Sequence, residues 1–223
     1  MSVEKPARIL TPRGRPGQPK PRVDRDARRQ AVLDAAAAVF AERGLQAATM
    51  QDVAVAAGMA KVLIYRLYPS RTALIDALFG QILGEVREAA SRPWGGYGSS
   101  LAALVEMARA RPTPFLLLLR DARAVPEAAP WGEAFETLLA SLIEPFIAPP
   151  ADASPEARQA CRHAARAFVP FLIAAWIGGI EGQDGLSDPV RARWFGEVFC
   201  GWRTATRDAL GLPSAAEPSV LTS

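Results

Sequence analysis

The chain has 223 residues, half of them hydrophobic, which is enough for one large or two small domains with a sizeable core. The net charge of +3 is unevenly spread: residues 1–71 hold 13 Lys/Arg against 6 Asp/Glu, and residues 72–223 hold 13 against 17. The basic N-terminal third predicts contact with a polyanion, although composition alone fits a solvated basic tail equally well.

No segment resembles a signal peptide, and the longest apolar run, residues 168–180, is too short to span a bilayer. We therefore expect a soluble cytoplasmic protein. The two cysteines, Cys161 and Cys200, lie far apart in apolar helical patterns. We expect two buried thiols rather than a disulfide, since cytosolic chains rarely form one.

Residues 1–23 are rich in proline and show no apolar periodicity, which predicts a disordered basic arm. The arm contains PRGRPG at residues 12–17, whose Gly-Arg-Pro core resembles the AT-hook. Arg13 and Arg15 would then enter the minor groove of A·T-rich DNA or contact phosphates. The alternative is a flexible tail that only adds charge.

The first predicted helix spans residues 24–43 and ends before Gly44, a glycine placed to take a left-handed conformation. Its apolar residues recur at helical spacing and form one stripe, made of Val32, Leu33, Ala36, Ala37 and Phe40.

The second predicted helix begins at Thr49, where Thr49 and Asp52 form a capping-box pattern, and ends at Ala57. Gly58 can supply the positive φ of a tight turn. A third helix over residues 60–67 then follows, and it ends before a proline.

The spacing of this helix pair predicts a helix-turn-helix, in which Ala54 allows close crossing and Ile64 packs the third helix onto the second. A tight corner in any helical bundle would share part of this pattern. The exposed face favours DNA binding, because it carries donors for phosphates and base edges, namely Lys61, Tyr65 and Arg66.

Residues 41–74, AERGLQAATMQDVAVAAGMAKVLIYRLYPSRTAL, resemble the N-terminal segment of the TetR family of bacterial transcriptional regulators. The strong resemblance covers residues 28–75, and beyond them only the helical layout is similar. The chain departs from the family pattern at four polar positions of the third helix, which here hold Ala60, Val62, Leu63 and Leu67.

The resemblance implies roles for individual residues. Thr49 would meet a phosphate at the start of the second helix, and Tyr65 and Arg71 would meet phosphates beside the groove. Base edges would be read at Lys61, Val62 and Leu63, with Gln51 and Arg66 as further contacts. The large apolar ring of Tyr68 favours packing in the core over contact with DNA. The apolar third helix suggests that affinity depends strongly on the basic arm, Lys61 and Arg71.

The remaining chain predicts an all-α fold, with the helix-turn-helix domain at residues 24–72 joined to a helical bundle at residues 73–211 and a flexible tail at 212–223. Predicted helices begin at the Ser70 cap, at Leu101, at a Thr113 cap, at Trp131, at the Ser154 cap and at Asp188. Loops are predicted at residues 93–100 and 126–130, and Pro170 is expected to kink the helix that ends near Ile177.

The last two predicted helices carry wide apolar belts, which suit either a monomer core or a helical homodimer. A protein that reads two half-sites needs a twofold axis, so we favour a four-helix dimer interface. Its candidate residues are Ala175, Trp194, Val198 and Trp202.

The middle helices are expected to enclose an apolar cavity for a small effector. Its candidate walls are Phe115, Leu118, Leu119, Phe135, Leu139, Phe171 and Trp176, although ordinary core is the better explanation of any single one of them. Candidate polar contacts are Arg120, Glu136 and His163, of which the histidine is better explained as a surface or core residue.

The sequence and the resemblance together predict a ligand-responsive regulator that binds a palindromic DNA operator as a homodimer, and the resemblance implies a repressor. An enzyme is disfavoured, because one histidine and no Cys/His cluster argue against a zinc site and no strand precedes a phosphate-binding loop. No cofactor or metal is expected. The main alternative is a helical small-molecule carrier or adaptor without DNA binding.

Overall fold

The computed structural model describes residues 22–91, 96–182 and 185–213, and within these ranges the regular structure is entirely helical. The α-helices are α1 (Arg22–Arg43), α2 (Met50–Ala56), α3 (Lys61–Leu67), α4 (Arg71–Ala90), α5 (Tyr97–Ala110), α6 (Pro112–Leu116), α7 (Ala129–Ile143), α8 (Pro155–Glu181) and α9 (Asp188–Ala209). A π-helical turn at Leu117–Asp121 and a 3-10 turn at Ala122–Ala124 follow α6, and a 3-10 turn at Glu144–Ile147 follows α7. The all-α prediction is confirmed.

Helices α1 to α3 pack into a small unit around the predicted apolar stripe. Val32, Phe40 and Val53 are almost fully buried, and Ile64 is the one residue of α3 that is completely covered. Because each short helix has only one buried face, this unit depends on close packing between its three helices and on the helix that follows.

Helix α4 connects that unit to the rest of the protein. Eight of its side chains are buried, and the helix contacts α1 on one side and α5, α6 and α7 on the other. The Ser70 hydroxyl accepts a hydrogen bond from the Ala73 amide at 3.0 Å, which confirms Ser70 as the cap. The hydrophobic core runs without interruption from α1 through α4 into the bundle.

Helices α5 to α9 form the bundle, in which α5 lies along α9 and α7 lies along α8. Aromatic rings join α8 to α9: Phe168 stacks on Trp202 with centroids 4.3 Å apart, and it meets Phe199 edge to face at 5.4 Å. Phe171 contacts Trp194 at 5.7 Å. Most of the apolar belt predicted for these two helices is therefore already in contact within one chain.

Two buried arginines of α9 attach the segment after α7 to the bundle. The Nε atom of Arg203 donates to the Phe146 carbonyl at 3.2 Å, and Arg207 donates to the Phe146 and Ala148 carbonyls at 3.4 Å each. Burying a guanidinium is unfavourable unless its donors are satisfied, so these carbonyls explain why α9 tolerates arginines facing inward.

Several predicted boundaries were wrong. Helix α5 begins at Tyr97, inside the predicted loop 93–100, and Arg111 rather than Thr113 precedes α6. The predicted helix at 131–147 changes to a 3-10 turn at Glu144–Ile147, because Pro145 lacks the amide that an α-helix requires. Helix α8 continues through Pro170 to Glu181, and Gly182 ends it at φ +64°.

By length and composition alone α8 could cross a membrane, a property that core helices of globular proteins share. In the structure its Phe168, Val169 and Trp176 are buried among the other helices of the bundle. About a third of the apolar window of α8 is buried within the described part of the chain.

Candidate nucleic-acid interface

The turn between α2 and α3 adopts the geometry that the sequence predicts. Gly58 has φ +61°, and the amide of Met59 donates to the Ala54 carbonyl at 3.0 Å. A side chain at position 58 would be strained by this backbone conformation even though it would meet no neighbouring atom. The backbone of Gly58 therefore fixes the direction in which α3 leaves α2.

The capping box at the start of α2 is fully formed. The Thr49 hydroxyl accepts from the Asp52 amide at 3.2 Å, and the Asp52 carboxylate accepts from the Thr49 amide at 2.9 Å and from its hydroxyl at 2.7 Å. These Thr49 hydrogen bonds, with a smaller contribution from Arg43, lower the pKa of the Asp52 carboxyl below its usual range. The predicted contact between Thr49 and a phosphate stays a prediction, and the carboxylate of Asp52 would be its immediate neighbour.

Helix α3 presents most of its residues to solvent. Ile64 is buried, whereas Val62 is 59% exposed and Leu63 is 38% exposed. The exposed face also carries the polar groups Lys61, Tyr65 and Arg66, and the Lys61 ammonium lies 5.9 Å from the centre of the Tyr65 ring. The structure thus brings together the five residues of α3 that the sequence predicts to contact DNA. Gln51, in the first turn of α2, is exposed as well.

At the start of α3, Ala60 makes no side-chain cap. This agrees with the sequence, in which alanine departs from the family pattern at this position. Tyr68 is 2% exposed, which confirms its predicted place in the core. Its hydroxyl donates to the Arg29 carbonyl at 3.3 Å, and burial raises its pKa. Arg13 and Arg15 lie outside the described residues.

Arg71 occupies a position that the sequence does not reveal. Its Nε atom donates to the Ala48 carbonyl at 3.2 Å, and its guanidinium forms an ion pair with Glu127, in the segment before α7. Burial lowers the pKa of this guanidinium, and its Nη2 atom is buried without a hydrogen-bond partner among the described residues. Arg71 therefore links the N-terminal unit to the bundle, and its predicted contact with a phosphate stays a prediction.

A second link joins the same two parts of the molecule. The indole nitrogen of Trp131, at the start of α7, donates to the Asp76 carboxylate of α4 at 2.7 Å. The Trp131 ring lies over Gly80, where an added Cβ would stand 3.2 Å from it. Spacing along the chain could not predict this pair, because the two residues are 55 positions apart.

The predicted effector residues divide into separate groups. Phe115 and Phe135 pack against Trp176, with ring centroids 6.1 Å and 5.5 Å away, and all three are almost fully buried. Phe171 lies instead on the side of α8 that faces α9. Leu118 is buried and Leu119 is partly buried in the π-helical turn.

The side chains predicted to make polar contacts with an effector either form an ion pair with another residue or face solvent. Arg120 pairs with Glu181, and Glu136 pairs with Arg123. His163 is exposed on α8, as expected for a surface residue. Their role towards an effector stays a prediction.

An apolar cavity of about 80 Å³ lies between α5, α7, α8 and α9. Leu139 is the predicted effector residue that lines it, together with Ser100, Leu101, Leu104, Leu142, Ile143, Phe146, Leu172, Phe195 and Phe199. The sequence analysis missed these other residues, because a helical pattern shows that a side chain is buried but not which void it faces.

The candidate dimer residues all retain exposed surface. Trp194 is 42% exposed, and Ala175, Val198 and Trp202 are partly exposed. The expectation of two buried thiols was half wrong: Cys161 is buried and burial raises its pKa, but Cys200 is exposed on α9. Its place on the outer face of the helix, beside Thr204, explains the error.

The fold and this interface define a class, namely all-helical proteins in which an N-terminal helix-turn-helix is followed by a helical bundle. Residues 32–78 match the family described as bacterial regulatory proteins, tetR family. The N-terminal helix-turn-helix of the chain therefore resembles that of the TetR family.

The similar curated proteins are transcriptional repressors. A 59-residue segment is 39% identical to the HTH-type transcriptional repressor KstR2 of Rhodococcus jostii, and it covers 26% of this chain and 29% of that protein. The KstR2 of Mycobacterium tuberculosis is 42% identical over 53 residues, which cover 24% of this chain and 26% of the relative. The similarity in sequence thus spans less than a third of these relatives.

Solved structures resemble the chain over most of its length. A TetR-like transcriptional regulator from Rhodococcus sp. RHA1 has a TM-score of 0.61 at 20% identity, covering 82% of this chain and 96% of the other. NalD of Pseudomonas aeruginosa, the secondary repressor of a multidrug efflux pump, has a TM-score of 0.57 at 18% identity, covering 81% and 97%. These likenesses support the fold.

The Asp52 capping box predicts a dependence of stability on pH. Because the pKa of this carboxyl is lower in the folded protein than in the unfolded chain, its contribution is present above the unfolded value near 3.8 and is lost as the pH falls through the folded value. We expect Asp52→Asn to lower the melting temperature more at pH 6 than at pH 2.5. The matched control is Asp34→Asn on α1, for which the melting temperatures should stay close to wild type at both pH values. An equal loss at both pH values in Asp52→Asn would contradict the assignment.

Proposed function

We propose that this protein is a ligand-responsive transcriptional regulator, a cytoplasmic repressor that binds a palindromic DNA operator as a homodimer. The observation that carries the proposal is the exposed face of α3, where Lys61, Tyr65 and Arg66 follow a turn fixed by a glycine of positive φ. A helix of this size fits the major groove, and its cations would neutralise phosphates on either side. The curated relatives are named as repressors, which supports repression rather than activation.

The distribution of charge supports the same surface. The first 71 residues carry the excess of cations, and Lys61 and Arg66 stand in solvent rather than in the core. A structural corner in a bundle would not need cations on its outer face, whereas a DNA-binding helix does. The adaptor alternative leaves this face unexplained.

We propose a dimer through the outer faces of α8 and α9. A palindromic operator requires a twofold axis, and Trp194 offers a large exposed ring on α9, next to the partly exposed Ala175 and Val198 of the same two helices. Two copies joined through these faces would set their α3 helices about 34–36 Å apart, which is one turn of DNA.

The effector site is proposed where the apolar cavity approaches Trp176. On α7, Leu139 lines the cavity and Phe135, four residues earlier, contacts Trp176; on α8, Leu172 lines the cavity one turn before Trp176. The cavity of about 80 Å³ is smaller than the 300–1,000 Å³ of a typical ligand pocket. An effector would therefore have to extend the cavity towards the Trp176 indole, by the length of about one helical turn.

Trp176 suggests the chemistry of that effector. Its indole nitrogen is buried and has no hydrogen-bond partner among the described residues. An unsatisfied buried donor is unfavourable by about 1–3 kcal/mol. A largely apolar molecule with one hydrogen-bond acceptor, such as a ketone, would fill the space and satisfy the donor.

Effector binding would reach the DNA-binding unit through α4. Helix α7 carries both the cavity residue Leu139 and Trp131, whose indole bonds to Asp76 of α4, and the neighbouring ion pair joins Glu127 to Arg71. A shift of α7 that widens the cavity would therefore pull on the start of α4. The two α3 helices would then lose the spacing that the operator requires, and the ligand would favour the DNA-free state.

Removal of the α3 cations tests DNA binding. We expect Lys61→Ala and Arg66→Ala each to weaken the binding of the DNA upstream of the protein's own coding sequence. Each should also reduce the slope of log affinity against log salt by about two, because a dimer has two copies of each residue. A mobility-shift titration from low to moderate salt measures both quantities. Arg87→Ala is the control, since Arg87 is exposed about 24 Å along α4 from Arg71. No shift by the wild type at any salt would support the adaptor alternative.

Replacing the exposed tryptophan of α9 tests the dimer. Trp194→Glu places two charges near the proposed twofold axis, so the protein should become a monomer in light scattering and lose cooperative DNA binding. Val55→Glu, at a valine that is 71% exposed outside α8 and α9, should remain a dimer. A monomeric wild type, or a dimeric Trp194→Glu, would refute the interface.

A matched pair of small molecules tests the effector chemistry. Cyclohexyl phenyl ketone should raise the melting temperature of the wild type more than cyclohexylbenzene does, because only the ketone can accept from the Trp176 indole. Trp176→Phe, which keeps an apolar ring without the donor, should remove the difference. Equal stabilisation of the wild type by both compounds would rule out this role for Trp176.

A further inference from the structure

Helix α3 carries an apolar surface that the fold leaves uncovered. Val62 is 59% exposed and Leu63 is 38% exposed, and they are neighbours on a helix whose buried contact is made by Ile64. Exposed valine and leucine residues are unremarkable when scattered. These two follow one another in the chain, and the exposed side of α3 that carries them also carries Lys61 and Arg66.

We propose that Val62 and Leu63 read the methyl groups of thymine in the major groove, so that the operator carries A·T pairs at the positions that these two side chains contact. This inference rests on the proposed DNA-binding function. The thymine C5-methyl is the apolar group that base pairs present in the major groove, and apolar side chains contact it. Lys61 and Arg66 would hold α3 against the DNA phosphates, which places Val62 and Leu63 at the base edges.

The polar groups of α3 favour this chemistry. Lys61 is drawn towards the Tyr65 ring, with its ammonium 5.9 Å from the ring centre. Neither valine nor leucine can hydrogen-bond to a base edge, so at these two positions discrimination must come from shape and apolar contact. The uncovered surface would be buried only in the complex, where it gains the free energy of leaving water.

DNA that contains uracil instead of thymine isolates the contribution of the thymine methyl groups to binding. The fragment upstream of the protein's own coding sequence is amplified once with dTTP and once with dUTP. The two products have the same phosphates and the same hydrogen-bonding groups, but the second lacks every thymine methyl. For the wild type we expect weaker binding to the uracil fragment, by about fourfold for each methyl contacted.

Alanine variants show whether α3 causes the preference. Val62→Ala and Leu63→Ala should each weaken binding to the thymine fragment and reduce the ratio of thymine to uracil affinity towards one. Alanine is a better helix former than either residue, so the helix should persist. Val55→Ala, at the exposed valine of α2, should keep the wild-type affinity and ratio.

The outcomes separate this inference from the function on which it rests. If the wild type shifts neither fragment, DNA binding itself fails and the methyl readout fails with it. If the wild type shifts both fragments equally, DNA binding stands and the methyl readout is overturned. A preference for thymine that persists in both Val62→Ala and Leu63→Ala also overturns it, because the preference would then come from duplex shape.

Discussion

The structure depends on the burial of α4 by two partners at once. Its apolar side chains pack against α1 on one side and against the bundle on the other, so the core continues from the N-terminal unit into α5 to α9. A packed core transmits displacement because it has few voids in which a shift can be absorbed. For this reason a helix that was only a covalent linker could not carry a signal, whereas a helix buried on both sides can.

The polar contacts around α4 lie where a signal would have to pass. Trp131 reaches Asp76 in the second turn of α4, and Glu127 reaches Arg71 at its first residue. Half-buried ion pairs have little net effect on stability, but they fix geometry, because breaking one leaves a desolvated charge. One buried nitrogen of Arg71 has no hydrogen-bond partner among the described residues, so the hydrogen bonding at the start of α4 is incomplete.

Local chemistry determined what could be predicted from the sequence. The Thr49–Asp52 box, the Gly58 turn and the Ser70 and Ser154 caps are fixed by residues within four positions of each other, and all of them are present in the structure. The exposed face of α3 followed from the same local pattern. The sequence did not predict features that depend on residues far apart in the chain, namely the links of Arg71 and Trp131 and the void that Leu139 faces. The prediction that Cys200 is buried was wrong. Burial patterns identified core residues, but partners across the fold decided which of them meet.

The central claim is that a dimer holds two copies of α3 at the spacing of one DNA turn. Hydroxyl-radical footprinting of the wild-type protein on the DNA upstream of its own coding sequence tests it most directly. The account predicts two protected patches on one face of the duplex, with centres about 34–36 Å apart and related by twofold symmetry. Uniform cleavage at protein concentrations where the dimer is formed, or a single unpaired patch, would contradict it.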